Sequence, residues 1–212
     1  KFENDYIDLA TEMDATAVGN PSIRDGVEGM AYQGAENSYL TFPAAHLMNE
    51  EFSASFWMNI NADPDRAGIL VIGPEDTENP DAQNIRTSGF RFFRENAGGM
   101  QRFKLNVGSG DKETWFDGGE AADVDPTTDD WVHFAFAISQ DQAAVYINGE
   151  IVKEDAFDGI DWTGCDFLSI MSGAPRFTGW DHLSDQSALD DLMIFDTFLT
   201  QEDVQQIMQD TP

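Results

Sequence analysis

Apolar and polar residues alternate along several short segments of the chain, and a period of two is typical of half-buried β-strands. Segment 52–60 places its Phe, Met and Ile residues on one face and Trp57 on the other. Segment 131–139 repeats the pattern, with Trp131 and His133 opposite the apolar row. Each predicted strand therefore turns an aromatic side chain away from the main apolar face.

Turn signals separate these strands. Asn148-Gly149, between two apolar segments, is the strongest hairpin signal of the chain. A second hairpin is predicted over 90–107, with its turn at 96–99, and Pro43 ends a short strand over 39–42. Many short strands joined by Gly-rich turns predict an all-β sandwich or jelly roll.

The last predicted strand, 188–195, carries two adjacent carboxylates within an apolar run. Strict alternation would place Asp190 on one face with Leu192 and Ile194, and Asp191 on the other. One carboxylate would then approach an apolar face, which is costly unless the group is paired, hydrogen-bonded or bound to a metal ion. A calcium ion is the simplest partner.

A short amphipathic helix of about three turns is predicted directly after this strand. Thr200 is a good N-cap, and Asp203 stands at the third helical position, where it can close a capping box. Leu199 can pack on Val204 across the cap. The helix is expected to close one side of the β structure.

Length and composition fit one domain over residues 1–212, because 41% hydrophobic residues and sixteen Phe suffice for a core. No apolar stretch is long enough for a membrane span. The chain starts at Lys1, which we interpret as a mature or excised segment without its targeting sequence. The single cysteine, Cys165, cannot form an internal disulfide, and no Cys/His spacing indicates zinc.

The formal charge is −29, from 40 acidic and 11 basic residues. Such a negative field disfavours nucleic acid and anionic membranes as partners. It fits a solvated acidic surface in a saline habitat, where salt screens the repulsion. The alternative is that some acidic loops hold cations, although none follows the spacing of an EF-hand loop.

Taken in order, these segments resemble the laminin-G-like jelly rolls of the concanavalin A-like lectin/glucanase superfamily. The residues that carry the resemblance are 55–60, 130–136, 145–151, 189–192 and 199–203. The chain departs from the pattern at Val132, where members often carry a histidine before the one matching His133. The resemblance implies a two-sheet antiparallel jelly-roll sandwich with a short C-terminal helix and one concave sheet.

The resemblance also implies a structural calcium ion near the meeting of the chain ends. Asp190 matches the aspartate that supplies a side-chain ligand, and Glu3 together with a carbonyl near Gly34 would complete the oxygen cage. Calcium accepts carboxylate and carbonyl oxygens alike. The alternative is an Asp190 satisfied by backbone amides alone.

Because the superfamily contains glucanases, catalysis must be weighed against binding. A Glu-x-Asp-x-x-Glu strand, which delivers the paired carboxylates of a retaining glycosidase, is absent. The three histidines, His46, His133 and His182, form no recognised nucleophile arrangement. The sequence therefore favours a non-catalytic carbohydrate-binding module, and a glycoside hydrolase or polysaccharide lyase of unfamiliar mechanism is the third hypothesis.

Aromatic faces and polar side chains recognise sugars, which makes Trp115, Trp180 and His182 candidates for ligand binding. The alternative is that each Trp fills a gap beneath its own loop. Six of the eleven basic residues lie between positions 86 and 112. Arg102 and Lys104 share a face of the predicted hairpin, and Arg91 joins them if the strands pair in register.

This basic cluster suggests an anionic polysaccharide as ligand, because Arg binds carboxylate and sulfate in a bidentate manner. The alternative is that the cluster neutralises neighbouring carboxylates. We expect a secreted, cell-surface or periplasmic bacterial protein, with other domains in a longer chain. A protein-adhesion or structural module of such a protein is the second hypothesis.

Overall fold

The computed structural model describes residue 2 and residues 6–211, and it places most of them in two large facing β-sheets. The first strands are β1 Ile7–Asp8, β2 Met13–Asp14, β3 Thr16–Val18, β4 Ser22–Asp25, β5 Met30–Gln33, β6 Tyr39–Pro43, β7 Phe52–Asn59, β8 Arg66–Pro74 and β9 Phe90–Ala97. They are followed by β10 Met100–Gly108, β11 Glu113–Asp117, β12 Asp123–Val124, β13 Trp131–Ile138, β14 Gln142–Ile147, β15 Glu150–Ala156, β16 Cys165–Ile170, β17 Leu183–Ser184 and β18 Ala188–Phe195. A 3-10 turn, Gly119–Ala122, lies between β11 and β12, and helix α1, Gln201–Asp210, follows β18.

The larger sheet has the strand order β11-β10-β9-β8-β16-β6-β3, with β12 paired to β10 and β17 to β8. The smaller sheet has the order β15-β14-β13-β7-β18-β5-β4. Within the described residues these pairs are antiparallel except for β17 with β8. Strands β1 and β2 form a separate hairpin.

Both predicted hairpins are present. Strands β9 and β10 pair from Ala97 with Met100 to Phe90 with Val107, so Gly98 and Gly99 alone form the turn. Strands β14 and β15 meet at Asn148-Gly149, whose φ angles of 50° and 76° suit a type I′ turn. The all-β sandwich predicted from alternation is confirmed.

The core lies between the inner faces of the two sheets, where aromatic rings interlock. Phe56 of β7 and Phe134 of β13 are fully buried and stack on each other across the smaller sheet, with ring centroids 5.9 Å apart. Phe92 of β9 meets Phe56 edge-on from the larger sheet at 5.7 Å. Burying such side chains supplies about 1.5–3 kcal/mol each.

Helix α1 covers part of the outer face of the smaller sheet. Its N-terminus has the predicted capping box, in which the Thr200 hydroxyl accepts from the Asp203 N–H and the Asp203 carboxylate accepts from the Thr200 N–H. Val204 and Leu199 are buried against Ala135 and other small residues of the sheet. No helix in the described part of the chain is long and apolar enough to cross a membrane.

Strand β18 corrects one expectation. Asp190 pairs with Trp57, but the next pair is Met193 with Ser55, so the strand has a bulge with Asp191 at a φ of 47°. The bulge inserts one residue and reverses the faces beyond it. Asp190 therefore points to the outer face, whereas Ile194 packs on the core, and the predicted shared face was wrong.

The outer face of the larger sheet is covered in its centre by segment 173–182, the cover loop. Phe177 of this loop packs on Val71 of β8 and Phe93 of β9. Ser172, just before the loop, and Ser184, just after it, are joined by an isolated β-bridge. Because β8 is thus covered on both faces, its sequence is a continuous apolar run.

Candidate functional site

Two tryptophans stack on each other at the outer face of the larger sheet, and we call this pair the aromatic shelf. Trp115 belongs to β11, opposite Asn106 of β10, and Trp180 comes from the cover loop. The rings are nearly parallel at 15°, with centroids 5.9 Å apart. Trp180 is 37% exposed, which is high for so large an apolar side chain. The structure therefore brings together two predicted site residues that lie far apart in sequence.

His182, the third predicted aromatic contact, lies beneath the shelf and has no exposed surface. Its imidazole stacks on Phe177 at 4.2 Å and meets Phe93 edge-on at 4.6 Å. Burial lowers the pKa of His182 although Glu95, 3.4 Å from its Nε2, opposes this shift. His182 therefore supports Trp180 from below, because the Trp180 and His182 rings lie 6.5 Å apart.

Arg86 is part of the site, although alternation alone could not indicate it. Its guanidinium lies over the Trp180 ring at 4.2 Å from the centroid, a cation–π distance. The Glu113 carboxylate accepts from Arg86 Nε at 2.6 Å and from Nη2 at 3.0 Å. The Arg86–Glu113 ion pair therefore covers part of one face of Trp180.

Lys104 and Arg102 continue this outer face along β10, as their alternation predicted. Lys104 Nζ lies 3.0 Å from Glu95 and 3.1 Å from Asp117. The Asp123 carboxylate accepts from Arg102 Nε at 2.6 Å and from Nη2 at 2.8 Å. The predicted cations are thus present on one face, and each is neutralised by carboxylates that are distant in sequence.

The carboxylates around Lys104 are held in the ionised form. His182 and Lys104 lower the pKa of Glu95 to about 2. Burial raises the pKa of Asp117 in part, but the Gly119 N–H and Lys104 together hold it below its usual value. A protonated carboxylic acid is therefore not available at this position near neutral pH.

Arg91 lies on the same face of β9 but has no exposed surface. Its Nη2 donates to the Ile85 carbonyl, and Gly73 lies so close that an added Cβ would be 2.6 Å from that nitrogen. Burial lowers the pKa of Arg91 to about 10. The loop before β9 thus separates Arg91 from the shelf.

The three predicted calcium ligands are in different surroundings. Asp190 is buried, and its carboxylate accepts from the N–H groups of Val27, Glu28 and Asp191 at 2.9, 3.1 and 2.7 Å. Burial raises its pKa, although these N–H groups oppose the shift. The Gly34 N–H donates to the Ser187 carbonyl. Ser187 precedes Asp190 by three residues, which is about 10 Å along an extended chain.

Glu3 lies outside the described residues. Among the residues that are described, no three His, Cys, Asp or Glu side chains converge on one point. Because Glu3 is not among these residues and calcium also accepts carbonyl oxygens, the calcium site remains a prediction.

His133 lies on the outer face of the smaller sheet, away from the shelf. Ser55 Oγ and His133 Nε2 are 2.8 Å apart, and both side chains are buried. In the described part of the chain no group accepts from or donates to His133 Nδ1, so a third member of a catalytic triad is missing there. Burial lowers the pKa of His133 to about 4.

A cavity of about 590 Å³ also lies away from the shelf. It lies between the sheets beside the β1–β2 hairpin, and its walls are mainly apolar. Its lining includes Leu9, Phe42, Leu168, Leu192 and Ile194.

Two facing antiparallel sheets, closed by one C-terminal helix and bearing an aromatic shelf, define a jelly-roll domain of lectin-like architecture. The chain belongs to the concanavalin A-like lectin/glucanases superfamily, because a laminin G family model with that description matches residues 33–205. The resemblance noted in the sequence is thereby confirmed. No curated protein matches the chain.

Solved structures agree with this fold. Domain 4 of AbnA, an extracellular GH43 arabinanase from Geobacillus stearothermophilus, in complex with arabinotriose, has a TM-score of 0.72 and 20% identity. The alignment covers 97% of this chain and 94% of that domain. The botulinum neurotoxin serotype C1 binding domain has a TM-score of 0.67 and 14% identity, over 99% of this chain and 50% of the other. This chain therefore spans about half of the neurotoxin domain, and at such identities the similarity shows the fold alone.

Proposed function

We propose that the protein is a non-catalytic carbohydrate-binding module whose glycan packs against the exposed part of the aromatic shelf. The single observation that carries this proposal is the nearly parallel pair of Trp115 and Trp180 on the outer face of the larger sheet. Tryptophan faces bind the apolar C–H patches of sugar rings, and neighbouring polar groups bind the hydroxyls. Arg86, Glu113, Lys104 and Asp117 supply such groups around the shelf.

The electrostatics of the shelf support binding without hydrolysis. Glu95 and Asp117 both contact Lys104, so their carboxylates are close enough to flank a glycosidic bond. A glycosidase of this kind needs one of the two acids to have a raised pKa, so that it can protonate the leaving oxygen. Here the pKa values of both are lowered. Catalysis would lack its general acid.

The structural neighbours support a carbohydrate ligand by analogy. One neighbour is an arabinanase domain in complex with arabinotriose. Another comes from botulinum neurotoxin type C, whose cell entry depends on interaction with two ganglioside molecules. By the same analogy we propose a secreted or cell-surface protein. A structural calcium ion at Asp190, with Glu3 as a further ligand, completes the proposal and is tested separately below.

Affinity electrophoresis in gels that contain neutral, uronic or sulfated polysaccharide tests the function. Trp180→Ala and Trp115→Ala should each weaken the affinity by at least about fivefold, since contact with one aromatic ring contributes roughly 1–3 kcal/mol. Ile151→Ala is the matched control, because Ile151 is an apolar side chain of similar exposure, 40%, on the smaller sheet.

Retardation that is lost in both Trp variants and retained in the control supports the proposal. If the two Trp variants are retarded as strongly as the parent protein by every polysaccharide that retards it, the shelf is not the glycan site. If no polysaccharide retards the protein but a protein partner binds through Trp180, the protein-adhesion hypothesis replaces this one.

A further inference from the structure

We propose that the aromatic shelf takes a neutral polysaccharide and discriminates against uronic and sulfated ones. This inference rests on the proposed glycan binding and adds the charge class of the ligand. It opposes the simplest expectation from the sequence, in which a basic cluster indicates an anionic ligand.

Arg86 is the cation nearest to a sugar at the shelf, because its guanidinium lies over Trp180. Nε and Nη2 form a bidentate pair with Glu113, and Nη1 lies 3.4 Å from the Asn84 carbonyl, so three of its five N–H groups are in use. A uronic carboxylate would either displace Glu113 or bind at the Nη1–Nη2 edge. In both cases the nearby Glu113 carboxylate would repel it.

Lys104 and Arg102 are committed in the same way. Two carboxylates, Glu95 and Asp117, lie within 3.1 Å of the Lys104 ammonium, which leaves this position with a net negative charge. Arg102 uses its bidentate edge on Asp123. Along the whole row the cations are matched or outnumbered by acids.

The other cations near this face do not change the balance. Arg91 is fully buried, so a polysaccharide does not reach it. Arg176 of the cover loop lies 2.5 Å from Asp166 and 3.8 Å from Glu75. Arg66 donates to the Trp180 carbonyl at 3.3 Å and lies 3.9 Å from Glu95. A polyanion would also have to approach a protein of net charge −29. A neutral sugar meets none of these costs, because its hydroxyls can bond to the ion pairs without separating them.

Removal of a carboxylate partner should create the missing anion site. Glu113→Gln releases Arg86, and Asp123→Asn independently releases Arg102, so one variant remains informative if the other misfolds. Asp125→Asn is the matched control, because it makes the same change in net charge at an exposed loop position where the carboxylate accepts from the Thr127 N–H and hydroxyl and from no cation that the structure describes. Affinity electrophoresis and calorimetry would use arabinan as the neutral probe and polygalacturonate as the anionic probe.

We expect the parent protein to bind arabinan, or another neutral polysaccharide of the panel, with little salt dependence and to ignore polygalacturonate. Glu113→Gln or Asp123→Asn should gain affinity for polygalacturonate by about tenfold, as a new charge-assisted contact would provide, and Asp125→Asn should not.

Tight, steeply salt-dependent binding of polygalacturonate by the parent protein, through Trp180, would overturn the neutral assignment and leave glycan binding intact. Failure to bind any polysaccharide, neutral or anionic, would overturn both proposals together.

Discussion

The buried ion pair of Arg94 and Asp185 offers the sharpest test of how this sandwich is held together. Neither side chain has exposed surface. Arg94 Nε and Nη2 donate to the Asp185 carboxylate at 2.6 and 3.2 Å, and further donors reach the carbonyls of Asp63 and Pro64. The pair thereby fastens the segment that follows the cover loop to the larger sheet.

Asp185→Asn keeps the shape of the side chain but leaves the guanidinium charge buried without a counter-ion. Loss of one partner of such a pair typically costs about 3–5 kcal/mol, because the remaining charge stays desolvated. For a domain of this size the loss corresponds to a fall in melting temperature of roughly 6–20 °C. Equilibrium unfolding in urea, followed by tryptophan fluorescence, measures the change in unfolding free energy.

The matched control is Asp155→Asn. Asp155 pairs with Lys153 at 3.1 Å, but its side chain is 61% exposed, so we expect a change below about 1 kcal/mol. The double variant Arg94→Met/Asp185→Asn should recover part of the loss, since it removes the stranded charge. If Asp185→Asn costs no more than Asp155→Asn, the pair does not hold the loop segment and the reasoning fails.

Three further predictions follow from single groups. Thr200→Ala removes the hydroxyl of the capping box and should cost about 1 kcal/mol in urea unfolding, whereas Thr200→Ser should cost far less. Burial lowers the pKa of His133 to about 4, so the stability that the neutral imidazole contributes is complete above pH 6.5 and is lost as the pH falls towards 4. The loss in unfolding free energy amounts to roughly 3 kcal/mol. A His133→Gln variant whose stability has the same pH profile as the parent protein would contradict this prediction. Calcium, if bound at Asp190, should raise the melting temperature of the parent protein but not of Asp190→Asn, and an unchanged parent value would refute the calcium site.

Alternation and turn chemistry predicted much of the fold, because those signals are local. The Asn148-Gly149 hairpin, the β9–β10 hairpin and the capping box at Thr200 all depend on residues within a few positions of each other. Strand β8 lacked such a signal. It is covered on both faces and therefore shows a continuous apolar run, which periodicity does not distinguish from a buried helix.

A local sequence pattern could not predict the bulge in β18 either. Asp190 and Asp191 interrupt the apolar row in the same way whether the strand is regular or bulged. Only the pairing with Trp57 and Ser55 of β7, which are distant in sequence, decides which face each carboxylate takes.

For the candidate site, the sequence indicates some of the residue types but not the charge balance. Trp115 and Trp180 are candidates by residue type, and the structure places them together. The partners of Arg102 and Lys104 could not be read from spacing, because Asp123 and Asp117 reach them only through the pairing of β10 with β12 and β11. Long-range strand pairing thus turned an apparently cationic surface into a neutralised one.

The cover loop has a consequence for protein engineering. The two ends of the loop are held together by the β-bridge between Ser172 and Ser184, and Trp180 lies in the segment between them. Loops with such closely spaced ends tolerate replacement of their interior. Libraries that randomise residues 178–181, while Phe177 and His182 are kept as anchors, would alter half of the shelf and leave the scaffold unchanged. This loop is therefore the natural place to vary the proposed glycan preference.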